Sequence, residues 1–291
     1  MNIDTALKNA FLDLKKKNIK SALLDSEILM SKVLNQDRSK IILNLNRQLN
    51  NQDYKLFREL IISRSKNKPI AYLIGKKSFW KYEFEINDKV LIPRPDTELI
   101  VEQVLNIYKN KQNINFLEIG VGSGCIILSI LKEKKFFLGK GVDLSKDSIK
   151  ICEKNANKLN VSNRLKLFKS DIDNFNLGKY DLIVSNPPYI KKFDLKNLDK
   201  DVLNFEPKLA LDGGLDGLSE IRKVIKTSSE LIKLNGKLIL EIAHDQKKMV
   251  KKMLNDYGFY INKVAKDLAN NNRCIVSTKI KFIKYNGHIQ K

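Results

Sequence analysis

The chain has 291 residues, 43% of them hydrophobic, and its 54 Lys and Arg against 33 Asp and Glu give a net charge of +21. That length and apolar content predict a folded protein of roughly two domains and exclude a wholly disordered chain. No apolar run approaches the roughly 18 residues that a membrane span needs, and no signal-peptide pattern opens the chain, so we expect a cytoplasmic protein without membrane attachment.

The basic excess suggests nucleic acid as a partner, because positive charge attracts phosphate. However, 46 of the basic residues are Lys and only 8 are Arg, and Asn and Ile are abundant while Ala is scarce. Lys, Asn and Ile share A/T-rich codons, so codon usage explains this composition better than a phosphate-binding surface, which would recruit Arg. Two histidines and three cysteines without a CxxC pair also predict no metal site.

Residues 1–75 predict a small bundle of helices. Apolar residues recur every three or four positions from Ile3 to Leu14 and from Tyr54 to Ile61, and Ser21 is a candidate N-cap between them. Residues 76–95 predict a hairpin or linker, because their aromatic residues partly alternate with polar ones.

Residues 96–285 predict a catalytic domain in which strands and helices alternate. A first helix is expected from Glu98 to Tyr108, with Asp96 or Thr97 as its N-cap. Seven strands are then predicted at Asn115–Ile119, Leu138–Asp143, Leu165–Phe168, Tyr180–Ser185, Gly236–Ile242, Phe259–Val264 and Cys274–Lys279. Helices are predicted at Cys125–Glu133, Ser145–Leu159, Leu218–Leu231 and Gln246–Asp256. This alternation predicts an α/β fold with a mainly parallel, Rossmann-like sheet covered by helices on both faces.

A glycine-rich loop follows the first of these strands. Glu118 precedes a Gly-x-Gly-x-Gly pattern, whose members are Gly120, Val121, Gly122, Ser123 and Gly124. Glycines at this point let a ligand approach the backbone closely. The dinucleotide pattern would need a third glycine where Cys125 stands. The pattern instead resembles the first motif of S-adenosylmethionine-dependent methyltransferases, with Glu118 facing the amino-acid end of the cofactor.

Two further acidic residues end the next strands. Asp143 closes the second strand, where a carboxylate can accept both hydroxyls of a ribose. Asp171 closes the third, where its side chain or the backbone of Ile172 could meet an adenine. Together with the glycine loop, these residues predict a nucleoside-type cofactor.

Asn186-Pro187-Pro188-Tyr189 ends the fourth strand. Two prolines fix the turn and remove two N–H donors, so it presents carbonyl oxygens, and Asn186 adds a side-chain oxygen. Two acceptors beside the flat ring of Tyr189 suit a planar group ending in NH2. The tetrapeptide resembles the signature of amino-methyltransferases that modify adenine in DNA, guanine in ribosomal RNA, or glutamine in proteins, so it leaves the substrate open.

Three further stretches narrow the choice. They are Ile92–Glu98, which contains Arg94; Glu206–Leu218; and Leu240–Ile242 with Gln246. With the helical N-terminal region, they resemble the peptide chain release factor glutamine N5-methyltransferases over nearly the whole chain. The alternative is an N6-adenine or N2-guanine methyltransferase acting on DNA or ribosomal RNA.

The resemblance implies a class I methyltransferase domain, with the N-terminal helices recognising a class I release factor and the methyl group going to the glutamine of its Gly-Gly-Gln loop. It implies catalysis by Asn186, Pro187 and Tyr189, with Pro188, Arg94 and Glu206 also binding substrate. It further implies S-adenosylmethionine, converted to S-adenosylhomocysteine, with no direct need for nucleic acid. We expect a monomer, because nothing in the sequence demands a dimer. Two departures are Asn270, where the family has glycine, and Ile172, where an aromatic residue is frequent.

Overall fold

The computed structural model describes residues 1–281, so positions 282–285 of the predicted catalytic domain lie outside the described residues. The helices are α1 (Ile3–Lys16), α2 (Ala22–Leu34), α3 (Arg38–Leu43), α4 (Asn51–Ser65), α5 (Ile70–Ile74), α6 (Glu98–Ile107), α7 (Cys125–Glu133), α8 (Lys146–Lys158), α9 (Lys200–Phe205), α10 (Ser219–Leu231) and α11 (Lys247–Asp256). The strands are β1 (Lys76–Phe79), β2 (Tyr82–Glu85), β3 (Asn115–Ile119), β4 (Leu138–Asp143), β5 (Leu165–Lys169), β6 (Tyr180–Ser185), β7 (Ile232–Glu241), β8 (Phe259–Lys266) and β9 (Asn272–Lys279).

The described residues divide into two compact units, each with its own core. The helical unit comprises Met1–Lys76 with two short segments, Ile86–Asp88 and Leu198–Glu206. The sheet unit comprises the remaining residues. Across residues 1–281, no helix combines the length and the apolar character needed to cross a membrane.

The helical unit forms because its apolar residues repeat with the helical period. Helix α1 begins at Asn2, whose side chain accepts a hydrogen bond from the Thr5 amide at 3.0 Å. Its residues Ile3, Ala10 and Leu14 are fully buried, as the three- and four-residue spacing predicts. The core of this unit is shared among α1, α2 and α4.

The sheet unit is built on a seven-stranded sheet in the order β5-β4-β3-β6-β7-β9-β8. Strands β3 to β7 are parallel, while β9 runs antiparallel to both β7 and β8. The prediction of a mainly parallel sheet behind a helical region is therefore confirmed. In β3, Phe116 and Leu117 belong to cores on opposite faces, as in a sheet covered by helices on both sides.

The order of the strands fixes where a ligand can bind. From β3 the chain proceeds outward through β4 to β5, then returns to β6 on the other side of β3. Ligands of such sheets bind outside the carboxyl ends of the strands, at the point where the order reverses. That point lies beyond Ile119 and Ser185, so the loops beginning at Gly120 and Asn186 flank it.

Candidate active site

A cavity of about 740 Å³ lies at this edge of the sheet unit. Its volume is in the range of small-molecule sites. Twelve of the predicted site residues line it: Arg94, Glu118, Gly120, Val121, Gly122, Ser123, Asp143, Asp171, Ile172, Asn186, Pro187 and Pro188. Three others, Gly124, Tyr189 and Glu206, are not among its lining residues.

The three glycines of the loop differ in what surrounds them. Gly120 and Gly122 have positive φ angles of 78° and 52°, and a Cβ on either would meet nothing within 4 Å. Their backbone therefore borders open space that a ligand can occupy. Gly124, with a φ of 81°, is packed instead, because a Cβ there would lie 2.5 Å from the Cys152 sulfur. The first two glycines leave room for a ligand and the third leaves room for a neighbouring helix.

Glu118 lies at the floor of the cavity and is almost fully buried. Its Oε2 accepts a hydrogen bond from the Ile127 amide in the first turns of α7, at 2.8 Å. Burial raises the pKa of this carboxyl well above its ordinary value; the Ile127 bond opposes that shift and the charge of Asp143 adds to it. A cationic group beside Glu118 would favour its ionised form.

Asp143 ends β4 and reaches back to the glycine loop. Its Oδ2 accepts from the Gly122 amide at 2.9 Å and its Oδ1 from the Ser145 amide at 2.8 Å. Burial raises the pKa of Asp143, although these two bonds act in the opposite direction. An ionised carboxylate has about four acceptor positions, so Asp143 can hold the loop and still accept from a ligand hydroxyl.

Asp171 and Ile172 follow β5 and line the same cavity. The Asp171 side chain caps a short 3₁₀ turn, accepting from the Asp173 amide at 3.1 Å. Ile172 offers an aliphatic side chain, where an aromatic one is frequent in the resembling family, so any contact with a flat ring there is by packing alone.

Asn186 leaves β6 with one end of its amide already engaged. Its Nδ2 donates to the Thr97 hydroxyl at 3.0 Å, which assigns the NH2 group to that side. The other end of the amide is the oxygen Oδ1. Pro187 and Pro188 continue along the cavity wall.

Tyr189 is not among the cavity-lining residues, and its hydroxyl reaches the end of β7. Its hydroxyl donates to Glu241 Oε1 at 3.2 Å, and burial followed by the charge of Glu241 raises the Tyr189 pKa. Its backbone is also held, because Gln246 Nε2 donates to the carbonyls of Tyr189 and Gly217 at 3.2 and 2.9 Å. Gln246 thereby ties the end of the proline turn to the loop that follows α9.

Arg94 and Glu206 occupy different units. Arg94 lines the cavity of the sheet unit. Glu206 is buried in the helical unit, where its amide donates to the Val202 carbonyl at the end of α9. Its neighbour Pro207 belongs to the sheet unit and lines the cavity.

The site residues predicted from the sequence do not include Thr97 or Glu241, although Glu241 lies in one of the stretches that carry the resemblance. Thr97 resembles a helix N-cap, but its side chain makes no capping bond and instead accepts from Asn186. Glu241 ends a strand among apolar residues, which was the available signal that an acid is buried there at a functional edge. Asn270, in place of glycine, adopts a φ of 65°, so the expected left-handed turn is retained.

Two family models match the chain in succession. The PrmC N-terminal domain model matches residues 5–75 and the methyltransferase small domain model matches residues 95–204. The first lies within the helical unit and the second covers the glycine loop and the proline turn.

Curated relatives match over nearly the whole chain. A release factor glutamine methyltransferase of Fusobacterium nucleatum is 37% identical over 272 residues, covering 91% of this chain and 76% of that protein. One of Leptospira interrogans is 37% identical over 284 residues, covering 96% and 98%. A bifunctional methyltransferase of Rickettsia prowazekii is 35% identical over 293 residues, covering 94% of this chain but 57% of that protein. The chain thus spans a little over half the length of this last relative.

Proposed function

The chain belongs to the release factor glutamine methyltransferases, and we propose that it transfers a methyl group from S-adenosylmethionine to the amide nitrogen, N5, of a glutamine. The proposed acceptor is the glutamine of the Gly-Gly-Gln loop of class I peptide chain release factors. The observation that carries the proposal is the Asn186 amide, whose NH2 end is engaged by Thr97 beside the cavity that the glycine loop opens.

The lining residues fit S-adenosylmethionine. Gly120 and Gly122 border open space, Asp143 retains acceptor capacity for ribose hydroxyls, and Glu118 suits the cofactor's ammonium group. Asp171 and Ile172 lie at the next strand end, where the adenine would pack. When bound, the cofactor supplies an electrophilic methyl group carried on a positively charged sulfur.

The chain's own residues would act on the nitrogen that accepts the methyl group. An amide nitrogen is a weak nucleophile because its lone pair is delocalised into the carbonyl group. Asn186 Oδ1 and the Pro187 carbonyl would accept its two N–H bonds, holding the nitrogen in line with the methyl group. As the new N–C bond forms at the expense of the methyl–sulfur bond, positive charge grows on nitrogen and both acceptors bind more strongly; one N–H proton is then released to solvent.

A protein loop is a suitable substrate for the mouth of this cavity. The segment after the proline turn pairs with a second loop, through the Ile190–Asp212 bridge and a 2.9 Å bond from the Lys192 amide to the Gly214 carbonyl. These loops expose large apolar side chains: Phe193 and Leu215 are each 70% exposed and Leu209 is 59% exposed. Such side chains favour contact with a polypeptide over contact with a phosphate backbone.

The test supplies methyl-labelled S-adenosylmethionine with purified class I release factor, total RNA and DNA in separate reactions. We expect label in the release factor alone. A release factor whose loop glutamine is replaced by alanine is the matched control and should remain unlabelled. Label that enters only RNA or DNA would overturn the proposal in favour of a base-modifying methyltransferase, and label in the alanine-substituted factor would contradict the choice of residue.

A further inference from the structure

Glu241 is a buried acid directly behind the proline turn. It ends β7 with 1% of its surface exposed, and within residues 1–281 its Oε2 has no hydrogen-bond partner. A buried, incompletely bonded carboxylate is costly to keep in a fold. A well-packed apolar residue would cost less at this position, so a role in the neighbouring site is the better explanation.

Two hydroxyl groups connect this carboxylate to the turn. The Tyr189 hydroxyl donates to Oε1 at 3.2 Å. The Thr97 hydroxyl accepts the Asn186 Nδ2 bond at 3.0 Å, so its own proton is left for another acceptor, and Thr97 lies close enough to Glu241 to lower the pKa of that carboxyl. Glu241 is therefore bonded to the last residue of the tetrapeptide and lies beside Thr97, which binds the first.

We propose that Glu241 is a positioning residue: by accepting from the hydroxyls of Thr97 and Tyr189, it fixes the Asn186 amide with its oxygen toward the cavity. This inference rests on the proposed function. An ionised carboxylate can only accept hydrogen bonds, so a hydroxyl beside it must donate to it. When the Thr97 hydroxyl donates its proton to Glu241, its oxygen can only accept a further hydrogen bond. The Asn186 side chain must therefore turn its NH2 group toward Thr97. The oxygen that the substrate amide needs is left on the other side.

Protonation of Glu241 would remove this constraint. A neutral carboxyl can donate to Thr97, which frees Thr97 to donate in its turn and allows the Asn186 amide to reverse. Burial raises the pKa of Glu241 to about 7, opposed by the Thr97 and Tyr189 hydroxyls and by Arg273, and assisted by Asp96. The Asn186 amide is therefore held in this orientation at pH values above about 7, and the orientation is lost as the pH falls below that value.

Four neighbours of Glu241 keep their charge state near neutrality. Arg273 lies 3.3 Å from Asp96 and 3.0 Å from Asp267 and stays charged. Cys274, opposite Glu241 on β9, and Cys125 on α7 both have a pKa raised by burial, so they stay neutral. The Tyr189 pKa is raised as well, so its hydroxyl keeps its proton.

The first experiment compares Thr97→Val with Thr97→Ser. Valine keeps the shape and removes the hydroxyl, so we expect kcat to fall by about 10-fold or more with cofactor affinity nearly unchanged, since misorientation of a reacting group costs rate. Serine keeps the hydroxyl and should restore kcat to within about 3-fold of wild type. The control is Ser277→Ala, which removes a buried hydroxyl on β9 outside the proposed network and should leave kcat unchanged. Equal kcat values for the Val and Ser variants would overturn the proposal.

The second experiment compares the pH profiles of kcat for wild type and Glu241→Gln. We expect wild-type kcat to rise with a midpoint near 7, and the Gln variant, which cannot ionise, to be slower and to lack that midpoint. The same midpoint in both proteins would overturn the role of Glu241. These measurements use whichever acceptor the wild-type enzyme methylates, so a failed substrate assignment and a failed positioning role are seen separately.

Discussion

Buried acids are treated differently in the two units of this molecule. In the helical unit, Asp25 is paired with Arg64 at 2.7 Å, and both side chains are nearly buried. Ser21, the predicted N-cap of α2, also donates to Asp25 at 2.8 Å instead of capping the helix. At the carboxyl edge of the sheet unit, Glu118 and Glu241 are just as buried, but their hydrogen bonds come from a backbone amide and a tyrosine hydroxyl.

The difference separates charges that hold a fold together from charges kept for a ligand. A buried ion pair satisfies both of its members within the protein and has little capacity left. An acid that is buried with few partners is destabilising, and its pKa rises accordingly, as it does for Glu118 and Glu241. Substitutions in each unit can test whether this division holds.

The largest expected effect is on catalysis at the sheet edge. Asn186→Ala should lower kcat by about 100- to 1,000-fold, the scale found when one preorganised hydrogen-bonding group is removed from a transition state. Cofactor affinity, measured by calorimetric titration, should change little. Equal losses of cofactor binding and turnover would mean that Asn186 shapes the pocket rather than orienting the acceptor.

The second largest effect is on stability in the helical unit. Asp25→Asn leaves the Arg64 guanidinium buried without its ionic partner, and should lower the free energy of unfolding by about 3 kcal/mol. Urea denaturation measures this change. Cofactor affinity of the folded protein should be unaffected, because the Asp25 carboxylate bonds to Arg64 and Ser21 within the helical unit. A loss of cofactor binding without a loss of stability would contradict the view that Asp25 serves the fold and not the ligand.

Most of the fold could be predicted from the sequence, because local signals and burial agree in it. The strands Asn115–Ile119, Leu138–Asp143 and Tyr180–Ser185 were predicted with their observed bounds, since apolar runs bounded by glycine or polar turns define them. Strand β7 begins at Ile232, four residues before its predicted start, because Gly236 resembles a turn residue but lies within the strand. Helix α9 was not predicted, since its six residues bury no side chain and leave no apolar stripe.

The site could be predicted from the sequence only where its residues are consecutive in the chain. The glycine loop and the proline turn are such segments, and all of their residues except Gly124 and Tyr189 line one cavity. Thr97 and Glu241 are separated from Asn186 by 89 and 55 positions, and each has an ordinary local explanation as a cap or a strand end. Only the pairing of β6 with β7 brings Glu241 behind the turn, and no local pattern encodes that contact.

The third prediction has the opposite sign to the second. The Glu241 pKa rises from 4.5 to about 7 on folding, so the folded protein binds more protons and stability falls as the pH rises between those values. Glu241→Gln removes that penalty and should stabilise the protein by about 2 kcal/mol at pH 8, with a smaller gain at pH 5. Chemical denaturation at both pH values checks it. If Glu241→Gln were instead less stable than wild type at pH 8, Glu241 would stabilise the fold, as Asp25 is expected to do.

A smaller loss is expected when the ribose contact is removed. Asp143→Ala should weaken cofactor binding by about 10-fold, because a hydroxyl bonded to a charged acceptor is worth roughly 1.5–3 kcal/mol and water partly replaces it. Equilibrium titration of the cofactor measures the effect, and the melting temperature reports whether the fold persists. An unchanged affinity would mean that Asp143 serves only the Gly122 and Ser145 amides that it already binds.

The smallest expected effect concerns the excess of lysine residues outside the proposed site. Residues 1–76, the main segment of the helical unit, contain 15 Lys or Arg against 7 Asp or Glu, a larger net charge per residue than in the rest of the chain. If that unit meets an acidic surface on the release factor, Lys17→Glu with Lys20→Glu should lower kcat/KM by about 3-fold at low salt, and the difference should vanish as salt screens it. Lys248→Glu with Lys252→Glu makes the same change of charge on exposed residues of α11 in the sheet unit and should have less effect. If kcat/KM of the wild-type enzyme did not depend on salt, codon usage alone would explain the excess of lysine. An equal response of both variants would mean that charge acts through the whole molecule, and that the helical unit holds no separate contact with the substrate.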